Sequence, residues 1–193
     1  MSDEESLARL FFETAHLKRM PRTGWIYAGV PAAEIESVAE HSFNAAIIAY
    51  VLALREGADP HKCAVLALFH DTQESRITDI SYLGKQYLTP KDNTAVTAEQ
   101  TADLPAPVRD PIRLLVEEFE AQDSLEARLA RDADKLECVV QAADYRTRHL
   151  GQVQEWIESN TALLWSEAAK GLAAAAATMD AHDWWRAVFE SGA

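Results

Sequence analysis

Apolar residues recur along most of this chain at intervals of three and four, the period of helices with one face turned inward. Leu7, Leu10, Phe11 and Leu17 share such a stripe and predict a helix over residues 6–18. Ser37-Val38-Ala39-Glu40 has the form of a capping box, which predicts a helix from there to about Glu56, stopped at Gly57. Asp59-Pro60 sets a capping acceptor before a proline at the first helical position and opens a second helix. That helix runs through seven consecutive apolar residues, Cys63 to Phe69, a run that predicts burial on all sides. Further helices are predicted over 108–121, 124–148, 153–159 and 161 to about 179. No β-branched run alternates at period two, so the expected fold class is all-α.

Two stretches break the pattern. Residues 21–37 hold Arg22-Thr23-Gly24-Trp25, Gly29 and Pro31 and predict an ordered loop; residues 89–104 predict a mobile loop or a short broken helix. No internal repeat or low-complexity tail interrupts the chain, and its 193 residues suit one domain with a buried core.

The formal charge of -13 argues against general affinity for nucleic acid, which needs clustered Lys and Arg. An anionic substrate then requires a local site, such as a divalent cation with a few arginines. The chain has no apolar run long enough to span a bilayer, and it starts on the acidic Met-Ser-Asp-Glu-Glu-Ser. Cytoplasm is the expected compartment, and Cys63 and Cys138, both in apolar helical stretches, are expected to be reduced and buried.

Candidate chemistry begins with His70-Asp71, which closes the apolar helix; both groups need polar partners or a metal once desolvated. Taken alone, the dipeptide is better explained by a capping aspartate beside a hydrogen-bonded histidine. His41 lies on a stripe with Ala45, Ile48 and Leu52 and points inward. Asp134 shares a small-residue face with Ala127, Ala130, Cys138 and Gln141, while Asp132 lies with Leu125, Leu129 and Leu136. Periodicity alone does not choose between the two aspartates.

The order His41, then His70-Asp71, then Asp134 resembles the signature of the HD-domain metal-dependent phosphohydrolases. Residues 17–25, Ser37 to Ser42, His70 to Glu74 with Thr78-Asp79-Ile80, and Asp134 to Glu137 are similar, more narrowly, to the HD-domain 5'-deoxynucleotidases. The resemblance implies an HD-domain helical bundle with its motif-bearing core over about 7–150 and extra C-terminal helices over about 151–190. It also implies one divalent ion on His41, His70, Asp71 and Asp134, a nucleotide substrate, and a homodimer. Mixed nitrogen and oxygen ligation suits Mn²⁺, Co²⁺ or another transition metal, with Mg²⁺ or Zn²⁺ as alternatives. No histidine stands between Asp71 and Asp134, which favours a single-metal site.

Glu74, four residues after His70, lies on the histidine's side if the helix resumes, and can manage the proton of an attacking water or leaving alkoxide. The resemblance places Glu74 and Asp79 in the active site, with Asp79 on the sugar or the nucleophile. Arg22 is the expected phosphate clamp, because guanidinium geometry suits bidentate binding. Trp25 is expected to shape the pocket or stack on a base, and the role of Glu137 stays open. Thr78 stands where the family commonly has glycine, and Ile80-Ser81-Tyr82 follows Asp79 where a proline or threonine is common, which bears on substrate choice. Alternatives are a hydrolase of another nucleotide, such as a triphosphate or modified nucleoside phosphate, a catalytically silent metal-containing nucleotide-binding module, and a purely structural all-α protein. Trp165, Trp184, Trp185 and Phe189 suit either intramolecular core or a dimer seam.

Overall fold

Local capping chemistry sets where the helices begin. In the computed structural model, which describes residues 1–190, Ser2 and Glu5 form a capping box at the start of α1 (Asp3–Ala15), and one 3₁₀ turn, His16–Arg19, follows it. The short α2 (Gly24–Tyr27) sits within the expected ordered loop, which closes on itself through an antiparallel bridge between Pro21 and Ser37. The predicted box at Ser37 opens α3 (Val38–Glu56), and Gly57, at φ 73°, ends it in the left-handed conformation that glycine adopts without strain. Asp59 caps α4 (Pro60–Phe69) by accepting from the amides of His61 and Lys62.

Beyond these lie α5 (Glu74–Ile77), α6 (Asn93–Gln100), α7 (Ala106–Ala121), α8 (Leu125–Thr147), α9 (Gln154–Ala162), α10 (Glu167–Ala176) and α11 (Asp183–Glu190). Among the described residues there is no strand, and no helix is long and apolar enough to cross a membrane. The all-α expectation agrees with this architecture; the last three residues of the expected single domain lie outside the described residues.

At the centre α3, α4 and α8 pack on one another. Their facing positions are mostly small, with Ala45, Ala49, Ala53, Ala67, Ala130 and Ala133 all buried, so the backbones approach closely and Leu52, Leu66 and Leu129 fill the remaining space. α7 closes the side of α4, while α9 and α10 cover α8.

Several expectations are corrected. α4 is not buried all round, for Val65 and Leu68 are 38% and 45% exposed, because its neighbours α3, α7 and α8 leave one face uncovered. Residues 89–104 contain a regular helix, α6, whose start is fixed by the Asp92 side chain accepting from the Ala95 amide. The alanine-rich stretch expected as one helix from 161 to about 179 is interrupted, because Asp132 reaches across from α8. Its two oxygens accept the backbone N–H groups of Trp165 (2.7 Å) and Ser166 (2.8 Å), and Ser166 then caps α10.

Asp132 is thereby a buried structural carboxylate. Replacing it with alanine leaves two N–H groups without their acceptor, and roughly 3 kcal/mol of stability is expected to be lost. Urea unfolding of Asp132→Ala measures this; an unchanged midpoint contradicts it.

Candidate metal centre

Two helix ends and the middle of a third helix converge on one buried point. The box that starts α3, with Ser37 Oγ accepting from the Glu40 amide (3.2 Å) and Glu40 Oε2 from the Ser37 amide (2.6 Å), places His41 in the first turn, fully buried. His70 caps the C-terminal end of α4. Asp134 comes from the middle of α8, where the bundle is tightest.

Each imidazole is held by its Nδ1. His41 Nδ1 lies 2.6 Å from Glu137 Oε2, and His70 Nδ1 lies 2.6 Å from the carbonyl oxygen of Ala67. A carbonyl only accepts, so His70 carries its proton on Nδ1 and leaves a lone pair at Nε2. The Nε2 atoms of both rings are buried and make no hydrogen bond, a costly state for polar atoms unless something else meets them.

The carboxylates lie where that partner would be. Asp71 Oδ2 is 3.1 Å from His70 Nε2 and 3.8 Å from His41 Nε2; Asp134 Oδ1 is 3.3 Å from His41 Nε2 and 3.9 Å from His70 Nε2. Ligand atoms around one cation, with bonds of about 2.1 Å, stand about 3–4 Å from one another. The donor set of two imidazole nitrogens and two carboxylates therefore fits a divalent transition metal, with Nδ1 partners that fix the rings as metal-bound histidines require.

Electrostatics point the same way. Burial and the Arg22 charge press the His41 imidazolium toward neutrality, yet Glu137 and Asp134 outweigh them and raise its pKa well above the ordinary range. Burial works against ionisation of Asp71 and Asp134 too. Asp71 is held well down by His70, Arg22 and His41, and Asp134 by Lys135, His41 and His70. The carboxylates are held in their charged, ligating form, and a bound cation would compete directly with the His41 proton.

Around this core the other predicted residues take distinct places. Glu74, at the start of α5, has a buried, unpartnered Oε2, and burial together with the Asp71 and Asp79 carboxylates pushes its carboxyl up to about 10. Arg22 donates from Nη1 to Asp71 Oδ2 (3.1 Å) and from Nη2 to Cys138 Sγ (3.5 Å). Burial pushes the Cys138 thiol up to about 11, so it faces Arg22 uncharged. Asp79 accepts the backbone N–H of Thr23.

Trp25 stands apart from the expected ligand contacts. It is 2% exposed, with Tyr145 edge-on and Trp156 stacked against it, and its indole N–H donates to Glu36 Oε1 (2.8 Å). Its rings are committed to the core and leave no face open to stack on a base, so of the two expected roles only shaping the pocket is left as an expectation.

One contributor was left open by the sequence reading and another, Lys135, was missed. Glu137, whose role stayed open, orients His41 and is itself held by Asn44 Nδ2 (3.3 Å); its place three residues after Asp134 was the available signal. Lys135 binds Asp134 Oδ2 at 2.8 Å, leaving Oδ1 toward the imidazoles.

Comparison with known proteins identifies the family. A family model described as HD domain matches residues 14–175. The human protein named 5'-deoxynucleotidase HDDC2 is 32% identical over 161 residues, covering 80% of this chain and 76% of its own. A conserved hypothetical protein from Pyrococcus furiosus superposes with a TM-score of 0.70 at 28% identity, over 88% of this chain and 98% of the other. A predicted metal-dependent phosphohydrolase from Magnetospirillum magnetotacticum shares the fold at a TM-score of 0.63 and 20% identity, over 91% of each chain. With its buried His41, His70, Asp71 and Asp134 cluster inside the matched segment, the chain belongs to the HD domain family.

Proposed function

We propose that this protein is a 5'-nucleotidase that hydrolyses (deoxy)nucleoside 5'-monophosphates to nucleoside and phosphate, using one divalent metal ion on His41, His70, Asp71 and Asp134. The observation that carries the reading is the pair of buried, unpartnered imidazole Nε2 atoms facing Asp71 and Asp134. The substrate class follows the similarity to proteins named 5'-deoxynucleotidase in human and in Schizosaccharomyces pombe. Mn²⁺ and Co²⁺ are the first metals to test. When bound, such an ion polarises a phosphoryl oxygen and lowers the pKa of a coordinated water.

The chain's own side chains divide the remaining work. Arg22, anchored on Asp71, presents a planar guanidinium for the phosphate oxygens. Glu74 is placed to manage the proton of the attacking water or of the leaving alkoxide; without metal, burial and the Asp71 and Asp79 carboxylates favour its protonated form. Asp79, on the loop after α5, faces the sugar. Glu36 ties Trp25 to the Arg22 turn, its side chain accepting the indole N–H and its carbonyl accepting the Arg22 backbone N–H at 2.9 Å.

We also propose a cytoplasmic homodimer. Both cysteines are free and buried, as suits a reducing compartment. An apolar cavity of about 300 Å³ lined by Ile47, Val51, Leu136, Val140, Leu172 and Met179 opens where α3, α8 and α10 meet, and Trp184 on α11 is 74% exposed. Surfaces of this kind suit a second copy.

Asp134→Ala is expected to lose the metal and turnover together, whereas Asp132→Ala keeps its metal; elemental analysis and phosphate release from a nucleotide panel with Mn²⁺ or Co²⁺ read both. Orthophosphate is the expected product, and release of triphosphate would identify a triphosphohydrolase instead. Glu74→Gln is expected to lower kcat about 10²–10⁴-fold with metal content unchanged. Wild-type protein inert toward every nucleotide would refute the enzyme. Light scattering is expected to give the mass of two chains; a monomer at micromolar concentration contradicts the dimer.

A further inference from the structure

Asp79 is fastened to the Arg22 turn by contacts that the roles above leave unexplained. Thr23 gives its backbone N–H to Asp79 Oδ2 and its hydroxyl to the Asp79 carbonyl at 2.8 Å. Two bonds to one residue, one to its side chain and one to its main chain, fix both its position and its rotamer. Among the described residues Thr23 is the only hydrogen-bond donor to the Asp79 carboxylate.

The residue before Asp79 adds a second, independent observation. Thr78 sits at φ 65°, ψ 162°, a region open almost only to glycine. A threonine stays there only when its surroundings over-determine it. Its amide donates to the Glu74 carbonyl at 2.8 Å, which ties the strained turn back to the start of α5. After Asp79 the chain runs out to the exposed Tyr82 and Tyr87, with only the 3₁₀ turn Gly84–Gln86 as regular structure before α6. A strained turn relaxes if its ties are lost, and the exposed segment beyond Asp79 supplies little restraint; the shorter Thr23 bonds, beside a 3.3 Å contact from the Thr78 hydroxyl to the same carbonyl, hold Asp79 in place.

We propose that Thr23 is a positioning residue, which clasps Asp79 and holds its carboxylate in register with the adjacent Arg22 guanidinium, so that the phosphate clamp and the sugar-facing acid act as one unit. This rests on the reading of Asp79 and Arg22 given above. Thr23→Val keeps the shape and the backbone donor but removes the hydroxyl, and Thr23→Ser restores it.

In metal-loaded protein, Thr23→Val is expected to lower kcat/KM for a nucleoside monophosphate about 10-fold, a displaced-contact effect. Mn²⁺ affinity should be unchanged, and Thr23→Ser should stay within about twofold of wild type. In an Asp79→Ala background the same valine substitution should cost less than about twofold, because its effect passes through Asp79. Full activity of Thr23→Val, or an undiminished 10-fold loss added to that of Asp79→Ala, would overturn the clasp. Amide exchange across residues 79–88 needs no turnover. It should quicken in Thr23→Val, and unchanged exchange also overturns the proposal. Wild-type inactivity on all nucleotides would sink the proposed function while leaving the exchange result to decide the clasp.

Discussion

Asp71, Asp134 and Glu137 meet two imidazoles in the interior of the bundle, next to a fourth carboxyl, Glu74, that resists ionisation. This crowding of negative charge away from water is the constraint to which the neighbouring structure answers. Isolated buried carboxylates are costly, and each here is met by positive charge or a hydrogen bond: Arg22 on Asp71, Lys135 on Asp134, His41 on Glu137. The Nε2 atoms are what those partners leave open. A divalent cation is the simplest group that satisfies two lone pairs and two carboxylates at once.

The scaffold makes that convergence rigid with inexpensive devices. A serine–glutamate capping box fixes the first turn of α3, a carbonyl of α4 fixes the His70 ring, and small residues let α8 approach both. One turn of α8 carries much of the support: Asp134 faces the imidazoles, Lys135 takes its second oxygen, Glu137 orients His41 and Cys138 touches Arg22. Such outer partners are where metal affinity is tuned, with about 10–100-fold losses when they are removed.

Much of this was legible in the sequence because it is written in local chemistry. Ser37-Val38-Ala39-Glu40, Asp59-Pro60 and Gly57 each determine a helix end from within a few residues, and the inward stripe of His41 follows from period alone. Periodicity left Asp132 and Asp134 undistinguished for the opposite reason, and only the resemblance chose between them: what separates them is tertiary, since Asp132 meets amides at 165 and 166 and Asp134 meets the imidazoles. The same long-range contact interrupted the helix that alanine propensity favoured after residue 161. Trp25 suited either a pocket wall or a base-stacking role, and only the partners Tyr145 and Trp156, distant in sequence, commit it to the core. Thr78 was visible as a departure from the family's usual glycine, but not that it retains a backbone conformation suited to glycine.

Anomalous diffraction from crystals grown with Co²⁺ or Mn²⁺ tests the central claim most directly. One peak per chain is predicted, within bonding distance of His41 Nε2, His70 Nε2 and the carboxylates of Asp71 and Asp134. A peak elsewhere, or none at this point with the metal in excess, would contradict it.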